Sequence, residues 1–547
     1  MLKIKVFDRW RLAVLVPALL LALPVAMVFA SVFSPQFEVW RHLRQTVLAD
    51  YIINSLILAG GTGLGALLIG TSTAWLVSQY QFFGRRYLEW LLLLPLAVPA
   101  YIIAYTYTGM LDFAGPVQSW LRELFGWSFG DYWFPEIRSL GGAVLMLSLV
   151  LYPYVYMLAR NAFSEQSASL LEASRTLGLS PRRHFWKVAL PLARPAILTG
   201  MALAMMEAFA DYGTVQYFGV PTFTTGIFRT WFGMGNAVAA AQLAALLTSF
   251  VLFLLLLEKW SRRKIRYYYQ GQKHSAPALR RVGAARQFLL VLCCLLPVIL
   301  GFLLPAWQLS SWALANWQRT LNPAFWQLVW NSFSLAAIAA LLSVILALVF
   351  AYARRLKQDP LVRLPVQLAA LGYAVPGTVI AIGVMLPLAW FDQRIDLLAE
   401  QWFGVRTGLL LSGTIVALLL AYSVRFLAVS LHGIEAGLER IKPNMDNAAR
   451  SLGFRPWQVL HRVHIPLLRG SVLTALLLVF VDVLKELPAT LILRPFNFNT
   501  LAVRAHELAS DERLADAALP ALAIVLVGLL PVIILARSTE RRMRGVE

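Results

Sequence analysis

Apolar residues gather in long runs that short polar segments separate. The runs are about 20 residues long, the length at which an α-helix crosses the hydrocarbon core of a bilayer. Because lipid offers the backbone no hydrogen-bond partners, such a run has to be helical. The pattern therefore predicts an all-α integral membrane protein with about twelve spans. We place them at 12–34, 52–79, 87–111, 139–160, 192–216, 236–258, 286–306, 327–352, 364–391, 407–430, 468–493 and 514–536.

The composition supports a membrane location and excludes a nucleic-acid partner. Of 547 residues, 59% are hydrophobic and only 14% are charged, whereas soluble domains carry about 25% charged residues. The net charge is +20, but the cations cluster beside the apolar runs, as in 259–266 and 354–357. The segment 112–138 instead holds four carboxylates against two arginines. By the positive-inside rule, this distribution reports topology and places both termini in the cytoplasm.

Short polar motifs recur at a constant distance along the chain. Asn54–Ser55 returns as Asn331–Ser332, a numbering offset of 331 − 54 = 277. Ala97–Val98–Pro99 returns as Ala374–Val375–Pro376 at the same offset. An offset of about half the chain indicates an internal duplication.

The duplication divides the chain into two copies of six predicted spans. The first copy covers 1–258, a basic cytoplasmic linker covers 259–285, and the second copy covers 286–547. An even number of spans gives both copies the same orientation. The sequence thus predicts a parallel repeat with a pseudo-two-fold axis along the membrane normal.

Each copy carries a polar segment between its fourth and fifth spans, at 161–191 and 431–466, on the predicted cytoplasmic side. Each segment has a glycine six residues after a short polar–alanine motif and a proline thirteen residues after the glycine. The motif residues are Glu172, Ala173, Gly178 and Pro191 in the first copy, and Asn447, Ala448, Gly453 and Pro466 in the second.

The spacing in these segments predicts a helix–turn–helix elbow. Gly178 or Gly453 can end a helix in a left-handed cap, and Pro181 or Pro456 suits the first turn of the next helix. An ordinary amphipathic elbow at the membrane surface is the alternative. Two elbows in register with the duplication favour a shared functional role.

The two elbows resemble the EAA loops of bacterial ABC-importer permeases, whose pattern is E-A-A, three residues, G, nine residues and I-x-L-P. The resemblance implies two tandem type I permease units whose elbows dock on a separate cytoplasmic ABC ATPase, expected in two copies. ATP and magnesium would bind there, and this chain would hold no cofactor. It contains no G-x-x-x-x-G-K-[ST] loop, so we expect no ATP hydrolysis by it. Asn447 departs from the pattern, which implies two unequal ATPase contacts.

Acidic pairs follow each elbow. Glu207 and Asp211 correspond to Asp482 and Glu486 at a numbering offset of 275. The i, i+4 spacing places both members of a pair on one helix face. A charge within a span is costly unless it faces a cavity or a partner. We therefore predict that the four carboxylates flank the translocation pathway, with salt bridges at helix ends as the alternative.

Tyr212 adds a phenol and Lys485 a counter-charge beside these pairs. Carboxylates and phenolates are hard oxygen donors that suit a hard cation such as ferric iron. The same residues could also line a path for an organic cation. Whether this chain has its own metal site is left open.

The cargo expectation comes from a further resemblance. The stretches Asp211-Tyr212-Gly213, Phe223-Thr224-Thr225-Gly226-Ile227 and Lys485-Glu486-Leu487-Pro488-Ala489-Thr490 are similar to those of fused permeases of bacterial ferric-iron importers. This implies an inner-membrane subunit that receives ferric iron from a periplasmic binding protein. Permeases for thiamine, phosphonate, sulfate or polyamines are the alternatives within the class. An ion-gradient carrier would have no use for the elbows, and no catalytic constellation supports a membrane enzyme.

Overall fold

The structure is a computed structural model of the chain. It describes residues 9–128, 130–164, 166, 174, 176, 179–263, 279–357 and 359–544. Most of the basic linker and much of the first elbow, including Glu172, Ala173 and Gly178, lie outside the described residues.

Most of the described residues are helical. The α-helices before the linker are α1 (Arg9–Ala30), α2 (Phe37–Thr46), α3 (Leu48–Gln79), α4 (Arg85–Leu91), α5 (Ala100–Leu111), α6 (Pro116–Phe125), α7 (Leu140–Ser164), α8 (Pro181–His184), α9 (Leu190–Ala210), α10 (Gly213–Tyr217), α11 (Phe223–Phe228) and α12 (Ala237–Arg263). Those after it are α13 (Ala284–Val298), α14 (Leu304–Thr320), α15 (Pro323–Leu356), α16 (Pro360–Ala370), α17 (Gly377–Phe403), α18 (Ile415–Glu439), α19 (Pro443–Ser451), α20 (Pro456–Val459), α21 (Ile465–Leu484), α22 (Pro488–Leu493), α23 (Leu501–Ser510) and α24 (Leu514–Arg544).

Short elements complete the described backbone. The 3₁₀ turns are Ser31–Phe33, Leu94–Ala97 and Leu371–Ala374, and the π-helical turns are Phe185–Ala189, Arg229–Gly233, Ile299–Leu303 and Leu460–His464. Two residue pairs, Tyr80–Gln81 (β1) and Arg280–Arg281 (β2), form a parallel ladder.

The prediction of about twelve spans is confirmed. Among the described residues, 11 helices are long and apolar enough to cross a membrane. One further candidate is a pair of helical segments, Arg85–Ala97 and Ala100–Phe125, bent by 92° at its break, which raises the number to 12 if it counts as one span.

The repeated Ala-Val-Pro motif breaks a helix in both copies. Val98 and Val375 have extended backbone, and the next helix begins directly after Pro99 and Pro376. A proline disfavours helical conformation in the residue before it, which explains the break. The prediction of continuous helices for the third and ninth spans is therefore wrong.

The described chain forms two compact units that exchange segments between the sequence copies. The N-core unit contains 43–225, 249–320 and 505–547, and the C-core unit contains 1–42, 226–248 and 321–504. The boundaries predicted for the two sequence copies, 1–258 and 286–547, remain a prediction about the repeat and differ from the boundaries of these units.

The same three-helix arrangement lies at the centre of each unit. Helices α3, α7 and α9 pack together in the N-core unit, and α15, α18 and α21 pack together in the C-core unit. Helix α1, from the start of the chain, packs on α16 and α17 of the second copy. Helices α13 and α14, which open the second copy, pack with elements of the N-core unit. The C-core unit therefore contains the opening helix of the first copy, and the N-core unit contains the two opening helices of the second copy.

Close helix packing explains the glycine-rich run in α3. A Cβ atom on Gly61 would lie 2.9 Å from Val144 of α7, and one on Gly63 would lie 2.6 Å from Met205 of α9. Real Cβ atoms do not approach other atoms so closely, so these positions need glycine for the three helices to pack. Contact between helices at small residues is a common device in membrane proteins.

Candidate coupling loops and transport site

The second elbow has the predicted helix–turn–helix geometry. Helix α19 is followed by Gly453 at φ +80°, the left-handed conformation that glycine adopts without strain. Helix α20 then begins at Pro456. In the first copy, α8 begins at Pro181 as predicted, while Gly178 lies outside the described residues.

A buried ionic cluster fixes the second elbow to the helices beside it. The Asp446 carboxylate lies 2.8 Å from Arg355 Nε of α15 and 2.6 Å from His464 Nε2 in the π-helical turn before α21. Arg355 also donates to the Leu438 and Ile441 carbonyls at 2.5 and 2.8 Å. Burial acts to raise the pKa of Asp446, but the hydrogen bonds from Arg355 and His464 outweigh it and lower that pKa.

This cluster is absent from the sequence of the first copy. The offset of 277 puts Ser78 opposite Arg355, and the offset of 275 puts Leu171 and Ala189 opposite Asp446 and His464. None of these three residues carries a charge. The cluster was not predicted, because nothing in the sequence indicates which distant arginine Asp446 meets.

Much of the second elbow is exposed. Its exposed residues include the predicted coupling residues Asn447, Ala448, Gly453 and Pro466. Between them, Leu452 is 76% exposed and Trp457 is 60% exposed. Exposed large apolar side chains grouped with small polar ones are typical of a protein-docking surface. Pro191, the predicted residue in the first elbow, is also exposed.

Substituting Asp446 with asparagine is expected to loosen the second elbow. The variant loses the charge that Arg355 and His464 share, and hydrogen bonds to a charged group contribute about 1.5–3 kcal/mol. We expect faster tryptic cleavage at Arg450 and Arg455, which are exposed. The control is Glu435→Gln, which breaks the more solvent-exposed Arg354–Glu435 pair. Equal cleavage rates for the Asp446 variant and the unmodified protein would show that the cluster does not hold the elbow.

The first acidic pair lies where the fifth span ends. Helix α9 stops at Ala210, and Asp211 Oδ1 then accepts hydrogen bonds from the backbone N–H groups of Thr214 and Val215, both at 3.1 Å. The Thr214 hydroxyl donates to Asp211 Oδ2 at 3.0 Å. The side chain thus caps the short helix α10, and the prediction of one helix to residue 216 is wrong because the chain turns here.

The second copy repeats this cap with a longer side chain. Helix α21 ends at Leu484, not at the predicted residue 493. Glu486 Oε1 accepts from the Ala489 N–H at 2.9 Å, and Oε2 accepts from the Thr490 N–H at 3.1 Å and from its hydroxyl at 2.8 Å. Arg425 of α18 pairs with the same carboxylate at 3.3 Å. This ion pair agrees with the salt-bridge alternative for Glu486.

The other predicted pathway residues are less enclosed. Asp482 and Lys485 form a salt bridge of 2.8 Å at the end of α21. Glu207 is half-buried one turn before Asp211. A role for these residues in the translocation pathway remains a prediction.

Tyr212 belongs to a buried group of aromatic side chains in the N-core unit. Its ring centroid lies 6.1 Å from that of His506, and the Tyr101 ring lies 6.3 Å from the same imidazole. Tyr105 follows Tyr101 by one turn on α5, and its ring centroid lies 6.4 Å from that of Tyr217. We call these five residues the tyrosine–histidine cluster. Burial lowers the pKa of His506 to about 4, so its imidazole is neutral at neutral pH.

Sequence reasoning found only part of this cluster. Tyr212 was predicted because it follows Asp211, whereas Tyr101, Tyr105 and His506 lie far away in the chain. The i, i+4 spacing of Tyr101 and Tyr105 was the only available signal. Among the described residues, no group of three or more His, Cys, Asp or Glu side chains could hold a metal ion.

Two repeats of membrane-spanning helices, with an exposed helix–turn–helix elbow described in the second repeat, are the architecture expected of the membrane subunit of a solute importer. The chain belongs to the family described as binding-protein-dependent transport system inner membrane component. The family model matches residues 66–267 and 343–545, once in each copy. This membership confirms the predicted class of permease, its tandem organisation and its multi-pass location in the inner membrane.

Relatives with both copies in one chain are similar over most of this sequence. The Fe(3+)-transport system permease protein FbpB 2 of Haemophilus influenzae is 26% identical over 95% of this chain and 97% of its own length. The ferric transport system permease protein FbpB of Actinobacillus pleuropneumoniae is 23% identical over 86% of this chain and 69% of its own. The molybdenum transport system permease protein ModB of Escherichia coli is 28% identical over 93% of its own length but only 40% of this chain.

Proposed function

We propose that this chain is the permease subunit of an ABC importer that carries ferric iron from a periplasmic binding protein into the cytoplasm. The observation that carries the proposal is the near-complete match to the FbpB 2 permease, which covers 95% of this chain and 97% of that protein. A match of that length spans both copies, whereas the match to the molybdenum permease covers less than half of the chain.

The elbows would connect this subunit to its energy source. The exposed surface around Asn447, Leu452 and Trp457 has the chemistry of a docking site for a cytoplasmic ABC ATPase. Two ATPase copies, one for each elbow, would bind ATP and magnesium. With both termini in the cytoplasm, as the charge distribution favours, both elbows face that compartment.

The elbow can transmit movement because it is rigidly connected to a span. Helix α20 continues through the π-helical turn Leu460–His464 into α21 without an extended segment. The Asp446 cluster ties α19 to the same turn and to α15. Closure of the ATPase dimer would therefore tilt α21 and α15 together, which is the movement that alternating access needs.

Uptake of labelled ferric ion tests the cargo. Cells that lack this gene should lose ferric uptake and regain it when the gene is restored. A strain that lacks the gene for the partner ATPase is the control, because transport should need both subunits. Unchanged ferric uptake in the strain without the gene would refute ferric import. Labelled thiamine, phosphonate, sulfate, polyamine and molybdate, tested in parallel, would then identify which other solute the permease carries.

A further inference from the structure

The tyrosine–histidine cluster brings polar groups from three separated segments into the interior of the N-core unit. Helix α5 contributes Tyr101 and Tyr105, the turn and helix after α9 contribute Tyr212 and Tyr217, and α23 contributes His506. Apart from Tyr217, which is half-buried, each of these side chains is more than nine-tenths buried. Burying this many hydroxyl and imidazole groups costs free energy unless each group is hydrogen-bonded.

The hydroxyl of Tyr105 shows the cost most clearly. It is buried, and among the described residues it has no hydrogen-bond partner. Tyr107, two residues later on the same helix, instead donates to the Leu300 carbonyl at 2.7 Å. A buried hydroxyl without a partner costs about 1–3 kcal/mol. Such a group in a native protein is often the site of a water, an ion or a substrate.

The cluster occurs in one unit and not in the other. Across the repeat, Thr378 and Ile382 correspond to the two tyrosines of α5 at the offset of 277, and Leu487 and Ile492 correspond to Tyr212 and Tyr217 at 275. The hydrogen bonds from Phe223 to Ser55 and from Leu501 to Ser332 set the offset at 501 − 223 = 278 for α11 and α23.

That last offset places Phe228 opposite His506, so all five positions of the cluster differ between the copies. Four of the five counterparts are apolar, and Thr378 is the exception. If these five positions served only for packing, the apolar residues found in the other copy would serve equally well. The difference therefore indicates a chemical role that only the N-core unit performs.

An ion-pair group lies next to the cluster on the predicted outer side. The Arg138 guanidinium lies 5.2 Å from the centre of the Tyr217 ring. It also approaches Asp112 at 3.9 Å and Glu512 at 3.6 Å. The two carboxylates offset the charge of the arginine, so the cluster does not face an uncompensated positive charge.

The geometry points to the tyrosine–histidine cluster as a contact site for ferric cargo on its way through the N-core unit, an inference that rests on the proposed function. Phenolate oxygen and imidazole nitrogen are both ligands of iron. On contact, a tyrosine O–H bond would break, an Fe–O bond would form and the proton would pass to water. Iron stays ferric throughout, so the step needs no oxidant or reductant.

Spectroscopy on the unmodified protein tests this directly. The full chain in nanodiscs is titrated with ferric nitrilotriacetate while tyrosinate-to-iron charge-transfer absorption is followed. We expect a band that saturates with iron and that is absent with the Tyr101→Phe/Tyr105→Phe variant. Tyr107→Phe, which removes a hydroxyl from the same helix outside the cluster, should keep the band. A titration of the unmodified protein without any such band would overturn the inference.

Uptake measurements separate this inference from the proposed function. The Tyr101→Phe/Tyr105→Phe variant should reach the membrane at the normal level and take up ferric ion on the order of tenfold more slowly. If the unmodified protein takes up ferric ion and this variant matches it, the contact site is refuted while ferric import stands. If the unmodified protein takes up no ferric ion, the proposed function fails, and the contact site fails with it.

Discussion

Valine in place of Gly453 is expected to uncouple ATP hydrolysis from transport. The residue has φ +80° at the turn between α19 and α20, and a left-handed backbone costs a residue with a Cβ roughly 1–2 kcal/mol. A β-branched side chain is among the least tolerated there. Relief of that strain would change the angle between α19 and α20. We expect solute uptake to fall by about tenfold or more, as about 1.4 kcal/mol corresponds to a factor of ten, while ATP hydrolysis by the assembled complex continues.

Two control variants distinguish an effect that is specific to the elbow from the effect of backbone strain alone. Gly404, after α17, has φ +65°, and a Cβ atom at Gly404 or at Gly453 would have no other atom within 4 Å. Gly404→Val introduces the same strain on the predicted outer side and should leave coupling normal. Gly453→Asn should be largely tolerated because asparagine adopts the left-handed conformation most readily after glycine. Normal uptake in Gly453→Val, measured beside ATPase activity in the same membranes, would refute the coupling role.

Replacing Glu486 with alanine is expected to destabilise the protein more than any other substitution proposed for this chain. The carboxylate side chain is 1% exposed and its partner Arg425 is 15% exposed. Removing one partner of a buried ion pair costs about 3–5 kcal/mol because the other charge stays buried. The first backbone N–H groups of α22 would lose their cap as well. Thermal unfolding in detergent, followed by fluorescence-detected size exclusion, should show a much lower melting temperature.

The Asp482→Asn variant is the matched control for this prediction. Asp482 lies four residues earlier and pairs with Lys485, but both side chains are a quarter or more exposed. Exposed ion pairs contribute about 0–1 kcal/mol, so this variant should unfold close to the normal temperature. If Glu486→Ala and Asp482→Asn unfold alike, the buried pair does not stabilise the C-core unit.

The Asp211 and Glu486 carboxylates were predicted from the sequence to flank the pathway, and the structure gives them a second use as helix caps. A double Asp211→Asn/Glu486→Gln variant keeps an acceptor oxygen at each cap. Loss of uptake in a correctly assembled double variant would support the pathway role. Normal uptake would leave these residues as caps only.

Hydrophobic run length predicted the number of spans well because the bilayer fixes the length of a helix that crosses it. The helix ends were harder to place. Ala210 and Leu484 end their helices well before the apolar run ends, since the next turn is closed by the side chain of Asp211 or Glu486. Hydropathy responds to apolar surface and carries no information about which carboxylate bonds to which N–H group.

The candidate site was predictable where it depends on local backbone chemistry. The turn at Gly453 and the helix start at Pro456 follow from the conformations that these residues prefer. The Arg355–Asp446–His464 cluster joins residues that are 91 and 18 positions apart, and the tyrosine–histidine cluster joins Tyr101 to His506, much farther along the chain. Without a second sequence to show which positions change together, no pattern within one chain identifies such pairs.

The exchange of segments between the copies constrains how the protein is made. Helix α1 is synthesised long before its packing partners α16 and α17, which belong to the second copy. The N-core unit likewise needs α24, which is synthesised after the other described helices. Neither half-gene encodes a complete unit, so each half expressed alone should be a substrate for membrane proteases. Joining the halves in one polypeptide supplies both sets of segments in equal amounts and at high local concentration.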